Sequence, residues 1–566
     1  MAISLFDVSV TNFLQVLNAV DNFLEKGLSH LNDNGVDLQG IVDTRLYPDM
    51  ANFQFQVTSV AHHSMGALKG AAADGDQAGV RVVLVGFDVF GGDVPRSLYG
   101  NAKHGVLLNI EDGIENYGFR KVSAFIKSVH PETKIAYIPT GNLRNILKVL
   151  TEKGAGELMD KDIHAAAQFL VEGDLIGFSS MTQYSKTVHQ IIAEIRHINP
   201  KSYIVWGGIH AIVNPEDAIK HADAVCTGEG EFSFKNFLEL FKSGKDYTIT
   251  SGFWFRKGNN IIKNKNLPLM KPEEMDNLPP LTYQDGEYIY YRDKGFKSIN
   301  SKDFINFGGL MYGTIWSIGC PLHCTFCANT KFIENDSAYR RLRHSAPRTI
   351  IDEIKRAISK QPHISTIGFF DDSFLNLPYE VLEEFCKLYK EEVNIPFMIV
   401  GVVPNYVRED GKIPLLVDAG LNRLRMGIQS GSDNILAFYK RPTKLHRIKE
   451  ATGILNKFKG YMMPPAYDII LENPVETTED TRATLDMIYE MPRPFNLNIF
   501  ALKVIPNTQL AKDIEGKGID IPSIQDESYI TGYHRTMGNI LIFALAVVKI
   551  PNWLYKILRK KVYPVQ

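Results

Sequence analysis

Three cysteines fall close together in Cys320-Pro321-Leu322-His323-Cys324-Thr325-Phe326-Cys327, directly after an apolar run, Gly313-Thr314-Ile315-Trp316-Ser317-Ile318-Gly319, that reads as a buried strand. Thiolates grouped this tightly at a strand end predict a metal site. Zinc fingers and ribbons need four ligands, usually as two separated pairs, and the remaining Cys226 and Cys386 stand alone, so zinc is the weaker reading. A 4Fe-4S cluster takes a thiolate on each iron; three cysteines leave one iron open to an outside ligand, and an open iron is a place for chemistry. The bland alternative is a set of ordinary buried thiols that happen to fall close together.

The chain that must position these thiols has 566 residues, 45% of them hydrophobic, and its length suggests roughly three to four domains with real cores. Its 62 basic and 64 acidic residues leave no overall electrostatic footprint for nucleic acid, so no DNA or RNA partner is expected. Five cysteines, three of them clustered, argue for a reducing compartment rather than a disulfide framework. The start, Met1-Ala2-Ile3-Ser4-Leu5-Phe6-Asp7, has neither a basic n-region nor a long apolar core, and a cytoplasmic protein is expected. Thiolate-bound iron open to a substrate cavity would be oxygen-sensitive.

Residues 1–75 read as a helical segment, with Phe13, Leu14, Leu17, Val20, Phe23 and Leu24 at helical spacing, followed by a Gly/Ala/Asp-rich linker at 70–76. Over 80–243 short apolar strands alternate with amphipathic helices, as in flavodoxin-like doubly wound α/β folds; strands are expected at 81–85, 134–138, 175–179, 203–206 and 224–227, with helices such as 186–197 and 232–241. In such sheets ligands bind beyond the carboxyl ends of the strands. Those ends carry Ser179-Ser180-Met181-Thr182, Gly207-Gly208-Ile209-His210 and Gly228-Glu229-Gly230-Glu231, whose glycines let backbone approach a large ligand.

Residues 244–312 read as a connector with a hairpin at 252–262, and 313–513 as a partial (β/α) barrel. One barrel strand ends in Asp371-Asp372, where paired carboxylates can take hydrogen bonds from a ligand's ammonium or ribose, or cap the next segment. Another ends in Gln429-Ser430. The helical tail, 514–566, has an apolar run over 539–558 that Lys549 and Pro551 interrupt before the ~20 residues a membrane span needs. A helix packed on the barrel is the favoured reading; with Trp553, Tyr555 and Arg559-Lys560-Lys561, an interfacial helix on an anionic membrane is the other, and it would suit an apolar or lipid-like substrate.

The pattern C-x-x-x-C-x-aromatic-C after a strand resembles the radical S-adenosylmethionine (SAM) superfamily. The resemblance implies a 4Fe-4S cluster on Cys320, Cys324 and Cys327 whose open iron binds SAM, with reductive cleavage of the sulfonium to a 5′-deoxyadenosyl radical. It also implies SAM contacts from Phe326, Asp371, Asp372, Gln429 and Ser430, although Gln429 stands where relatives usually carry Glu in Gly-Ile-Glu-Ser-Gly-Ser. Asn473-Pro474-Val475-Glu476-Thr477 resembles the family's Gly-x-Pro-x-Glu-Thr turn with Asn473 in place of glycine, and Ile505-Pro506-Asn507-Thr508-Gln509-Leu510 its Pro-Gly-Thr-x-Leu ending.

The strand ends Gly-Gly-x-His and Gly-Glu-Gly-Glu resemble the cobalamin-binding domain that precedes many radical SAM domains. That implies cobalamin contacts from Ser179, Ser180, Thr182, Gly207, Gly208, His210, Gly228, Glu229 and Gly230. Asp162-Ile163-His164 begins like the cobalt-ligating D-x-H-x-x-G, but Ala167 occupies the glycine position, so His164 reads as a surface or capping residue and His210 as a pocket-lining one. The first segment resembles half of a DinB-like helical bundle of unknown function, and could be a protein-interaction module. The function implied is C-methylation of an unactivated carbon of a small-molecule substrate, fed by a reductase or by flavodoxin or ferredoxin. Oxidation, cyclisation or ring rearrangement with the same cofactors is the runner-up, and a non-catalytic cobalamin and iron–sulfur sensor the distant third.

Overall fold

Parallel strands need crossover helices, and those helices cover both sheet faces, which is why apolar strand runs alternate with amphipathic helices along this chain. The computed structural model describes residues 106–111, 116–139, 158–281, 283, 286–292, 294–409, 411–526 and 536–562. All of them belong to one compact unit. The expected helical segment, its linker and the strand at 81–85 lie outside the described residues.

The first sheet contains β1 (Val106–Glu111), β2 (Lys134–Pro139), β3 (Leu175–Ser180), β4 (Tyr203–Gly207) and β5 (Ala224–Cys226), followed by β6 (Phe253–Lys257), β7 (Asn260–Lys263), β8 (Glu287–Tyr291) and β9 (Gly295–Ser298). Its order is β7-β6-β5-β4-β3-β1-β2-β8-β9, so the inner five strands have the flavodoxin-like order 2-1-3-4-5. The inner strand β1 pairs in parallel with both β2 and β3 and had not been expected from the sequence. Its apolar run is short and is broken by Asn109 and Glu111. Residues 244–312 are not a separate connector. The expected hairpin is β6–β7, antiparallel to β5, and the aromatic Tyr288-Ile289-Tyr290 lies in β8, parallel to β2, so both flanks of the sheet are extended.

The second sheet is entirely parallel, β10 (Met311–Thr314), β13 (Thr366–Phe369), β14 (Phe397–Val402), β15 (Leu421–Gln429), β16 (Ala466–Leu471) and β17 (Asn496–Ala501), in that order, with helices such as Pro347–Lys360, Tyr379–Glu392 and Thr478–Glu490 between the strands. This is a partial (β/α) barrel, and Trp316, Phe369, Phe374, Phe385, Tyr389 and Phe397 fill one side of its core.

The apolar run before the cysteines does not continue as one strand. β10 stops at Thr314, and a short β11 (Ser317–Ile318) pairs antiparallel with β12 (Arg343–His344). The cause is Asp371, at the end of β13. Its carboxylate accepts the N–H groups of Trp316 (3.0 Å) and Ser317 (2.7 Å) and the Ser317 hydroxyl, pulling the chain out of the β10 ladder.

The tail forms two helices, Met537–Val547 and Asn552–Val562, that bury Leu541, Ile542, Leu545 and Tyr555 against the barrel core. Among the described residues no helix is long and apolar enough to cross a membrane.

Candidate functional site

The cysteine loop leaves β11 through Gly319, whose φ of +122° is open only to glycine; a Cβ there would lie 2.5 Å from the Arg341 carbonyl oxygen and 2.8 Å from that of Tyr339. Backbone bonds then fix the loop. Cys320 N–H donates to Tyr339 (3.0 Å), Thr325 N–H to Tyr439 (3.0 Å), Cys327 N–H to Cys324 (3.0 Å), and the Thr325 carbonyl accepts Leu510 N–H (2.9 Å). Cys320 and Cys324 are buried and Cys327 half-buried. Burial pushes the Cys320 thiol up to about 11 and that of Cys327 to about 12, so both keep their protons at neutral pH until a metal displaces them.

Two arginines reach this loop, Arg340 by donating to the Pro321 carbonyl (3.2 Å) and Arg441 at a thiol. Arg441 donates through Nη1 to Cys324 Sγ (3.4 Å) and through Nη2 to the Gly427 carbonyl (2.7 Å), while its buried Nε has no partner among the described residues. Sequence reasoning missed it, because Lys440-Arg441-Pro442 looks like a solvated basic pair after a helix.

The expected SAM-side residues divide into two groups. Asp372 accepts from Tyr339 Oη (2.9 Å) and from the Asn329 side chain, beside the cysteine loop, and burial raises its pKa. Gln429 ends β15 at a bulge with φ of +75°, a strained setting for a non-glycine residue that turns the chain at the strand's carboxyl end. Phe326 sits edge-on to Tyr439 at 5.1 Å, and Asn473, in its glycine's place, donates to the Tyr439 hydroxyl (3.1 Å). The polar atoms of the other two are already engaged by the chain. Asp371 is 1% exposed and holds β11, a role neither capping nor ligand contact had suggested. Ser430 is fully buried, with Oγ 3.1 Å from Thr484 Oγ1 and accepting Ser432 N–H (3.1 Å).

On the first sheet, register sets Ser179 beside Gly207, and the ends of β3, β4 and β5 lie side by side. Gly208 has φ of +83°, and a Cβ would stand 2.7 Å from Ser179 Oγ and 3.0 Å from the Ser180 nitrogen, so the two strand ends pack through bare backbone. Gly228 and Gly230 follow β5 and pack closely against Asn266 and Val122 respectively. Thr182 Oγ1 and the neighbouring Gln183 Oε1, which the sequence reading had not picked, are buried without partners among the described residues. Buried polar groups are ordinarily satisfied, so this edge fits a ligand that hydrogen-bonds there.

Three expected cobalamin contacts do something else. His210 does not line a pocket: it is fully buried, its ring 4.9 Å from that of Trp206 and its Nε2 3.1 Å from Asp217 Oδ2. The carboxylate of Glu229 pairs with Arg343 of β12 (2.7 Å) and accepts Met270 N–H (2.6 Å), tying the two sheets' domains together. Ser180 Oγ accepts from Trp206 Nε1 (3.1 Å). His164 is exposed and paired with Glu194 (2.6 Å).

Between the domains lies a cleft of about 820 Å³, with Val213, Thr227 and Asn266 on one wall and Lys331, Asn335 and Lys512 on the other. The helix Asn329–Asn335 on that second wall directly follows Cys327. Asn507 closes one end by donating to the Val213 carbonyl (3.1 Å).

This geometry has counterparts. Residues 314–488 match the radical SAM superfamily, 147–238 the B12 binding domain, and 5–78 a domain of unknown function, DUF1993. An uncharacterized methyltransferase of Pyrococcus horikoshii is 24% identical over 55% of this chain and 63% of its own length. The anaerobic magnesium-protoporphyrin IX monomethyl ester cyclase of Rubrivivax gelatinosus is 24% identical over 57% of this chain and 54% of its own. The chain thus spans between half and two thirds of these two relatives. The solved structure of the radical SAM methyltransferase TsrM from Kitasatospora setae, with cobalamin and a 4Fe-4S cluster bound, shares the fold at a TM-score of 0.53 and 14% identity, covering 73% of this chain and 75% of that one. With the thiol loop at the barrel's strand ends and the flavodoxin-like sheet before it, the chain carries a region that matches the radical SAM superfamily and, before it, one that matches the B12 binding domain.

Proposed function

We propose that this protein is a cobalamin-dependent radical SAM enzyme that methylates an unactivated carbon of a small-molecule substrate. The observation that carries the reading is the seating of three cysteines in one backbone-fixed loop, with the Arg441 guanidinium 3.4 Å from Cys324 Sγ, in a barrel that follows a sheet matching the B12 binding domain. When bound, the cluster with SAM supplies a carbon radical and cobalamin a transferable methyl group. Cys320, Cys324 and Cys327 would hold the cluster, and Arg441 lends positive charge to offset their thiolates. Asp372, Gln429 and Phe326 offer SAM an acceptor, an amide and an apolar wall. Thr182, Gln183 and the glycines after β4 and β5 offer cobalamin hydrogen bonds and close backbone approach. Neither His164 nor His210 would serve as a ligand to cobalt, one being exposed and paired with Glu194 and the other buried and bonded to Asp217.

A reductase, flavodoxin or ferredoxin would deliver the electron, and no nucleic acid is needed as partner. The test is anaerobic reconstitution with iron, sulfide and hydroxocobalamin, followed by reduction in the presence of SAM. Formation of 5′-deoxyadenosine or methylated product, lost in Cys324→Ala, supports the reading; cobalamin bound with no SAM turnover under any reductant points to the sensor and sinks it. A second reading, oxidation or ring formation with the same cofactors, is favoured by the similarity to a cyclase. Product mass separates the two, a gain of about 14 Da marking methylation.

A further inference from the structure

No acidic residue follows Glu527 in a chain that has 64 of them, whereas Arg535, Lys549, Lys556, Arg559, Lys560 and Lys561 do. The two tail helices within this stretch also present their side chains in an unusual way. The first, Met537–Val547, buries Leu541, Ile542 and Leu545 but leaves Met537, Ile540, Phe543 and Val547 exposed, so it is apolar on both faces.

The second, Asn552–Val562, packs Tyr555, Leu558 and Val562 against the barrel core. Tyr555 stacks on Tyr489 with ring centroids 3.8 Å apart and donates its hydroxyl to Asp486, which also takes Arg559 at 2.6 Å. Trp553, 66% exposed, and Ile557 point outward instead. At 100° per residue, positions 553, 557 and 560 share one face, with Lys556 and Lys561 at its flanks. Between the helices, Arg493 donates to the carbonyls of Leu545 and Val548 and holds the corner. Exposed apolar side chains with lysines beside them thus occur on both helices and at the turn between them.

We propose that this face docks on an anionic phospholipid bilayer, with Phe543, Val547, Trp553 and Ile557 entering the boundary between headgroups and acyl chains, and Lys549, Lys556, Lys560 and Lys561 pairing with lipid phosphates. Charge decides against a second copy of the chain. A two-fold contact would bring this patch onto itself, and its lysines would meet like charges: the tail supplies no acidic side chain, and Asp486 beside it is already paired with Arg559. The proposal stands apart from the chemistry assigned above and can fail without it.

The test is co-sedimentation of the full-length protein with phosphatidylcholine vesicles, with and without phosphatidylglycerol. Binding is expected only with phosphatidylglycerol and is weakened by salt. Lys560→Gln with Lys561→Gln should weaken it by about 25-fold, roughly fivefold per lysine. Phe543→Ser with Trp553→Ser should abolish it with unchanged thermal melting, and brominated lipid should quench Trp553 fluorescence relative to Trp553→Phe. Absence of wild-type binding, binding unaffected by either double substitution, or a dimer that Phe543→Ser dissociates without any vesicle binding would each overturn the proposal.

Discussion

Arg441 links Cys324 to the wall of the barrel: one guanidinium nitrogen lies 3.4 Å from the cysteine sulfur and another 2.7 Å from the Gly427 carbonyl on β15. A fixed fork and a permanent charge make arginine the suited residue, because lysine could supply the charge without holding both partners. Arg441→Met should therefore retain markedly less iron and sulfide after anaerobic reconstitution and desalting than the roughly four of each per chain that one cluster requires, with Arg441→Lys in between. Equal contents in all three proteins would remove the arginine from the site.

Gly319→Ala should be among the most damaging single substitutions in the chain. The added methyl meets two carbonyl oxygens, and the backbone angle is closed to alanine. A cost of about 2–4 kcal/mol is expected, together with loss of cluster binding, since the cysteine loop begins one residue later. Denaturant unfolding of the cofactor-free protein measures the first effect and iron content the second. A variant with wild-type values for both would contradict the geometry.

Burial raises the Asp371 carboxyl from its ordinary 3.8 to about 6, against the pull of three hydrogen bonds that favour its charged form. The folded chain then keeps this proton over a window in which the unfolded chain has released it. The group's contribution to stability is therefore greatest below pH 3.8 and declines as pH rises through 6, by about 3 kcal/mol in all. Asp371→Asn removes that slope. Unfolding free energies of the two proteins between pH 4.5 and 7.5 should show the wild type losing ground to the variant, and parallel curves would refute the assignment.

Glu229 and Arg343 form an ion pair with side chains 26% and 11% exposed, joining the strand ends of one domain to the strand beside the cysteine loop of the other. A double-mutant cycle of Glu229→Gln and Arg343→Met should give a coupling of about 1–2 kcal/mol in unfolding free energy. Each single substitution should also weaken hydroxocobalamin binding, read by absorbance titration, by loosening the Gly228-Glu229-Gly230 turn from β12. A coupling near zero would reduce the pair to a surface contact.

The parts of this site that depend on neighbours in sequence were legible before any coordinates. The cysteine spacing, the glycine-rich strand ends at Gly207-Gly208 and Gly228-Glu229-Gly230, and the hairpin that became β6–β7 are all local signals. What depends on distant contacts was not. Asp371 looked like a ligand contact or a cap until its partners, 54 and 55 residues earlier, were visible. His210 carried the right motif position but turned to Asp217, and Glu229 turned to Arg343. β1 escaped notice because a strand covered on both faces by helices needs only a short apolar run, and β8 because a tyrosine-rich stretch after prolines resembles a loop.

β8 has one more consequence. It is a member of the first sheet, paired with β2, and the chain passes from it through β9 and one short helix, Ser301–Gly308, directly into β10 of the barrel. No slack tether separates the two halves, so a hinge that swings them apart would first have to unzip hydrogen bonds at the sheet's margin. Molecules entering or leaving must therefore pass by the yielding of individual loops around a stiff frame.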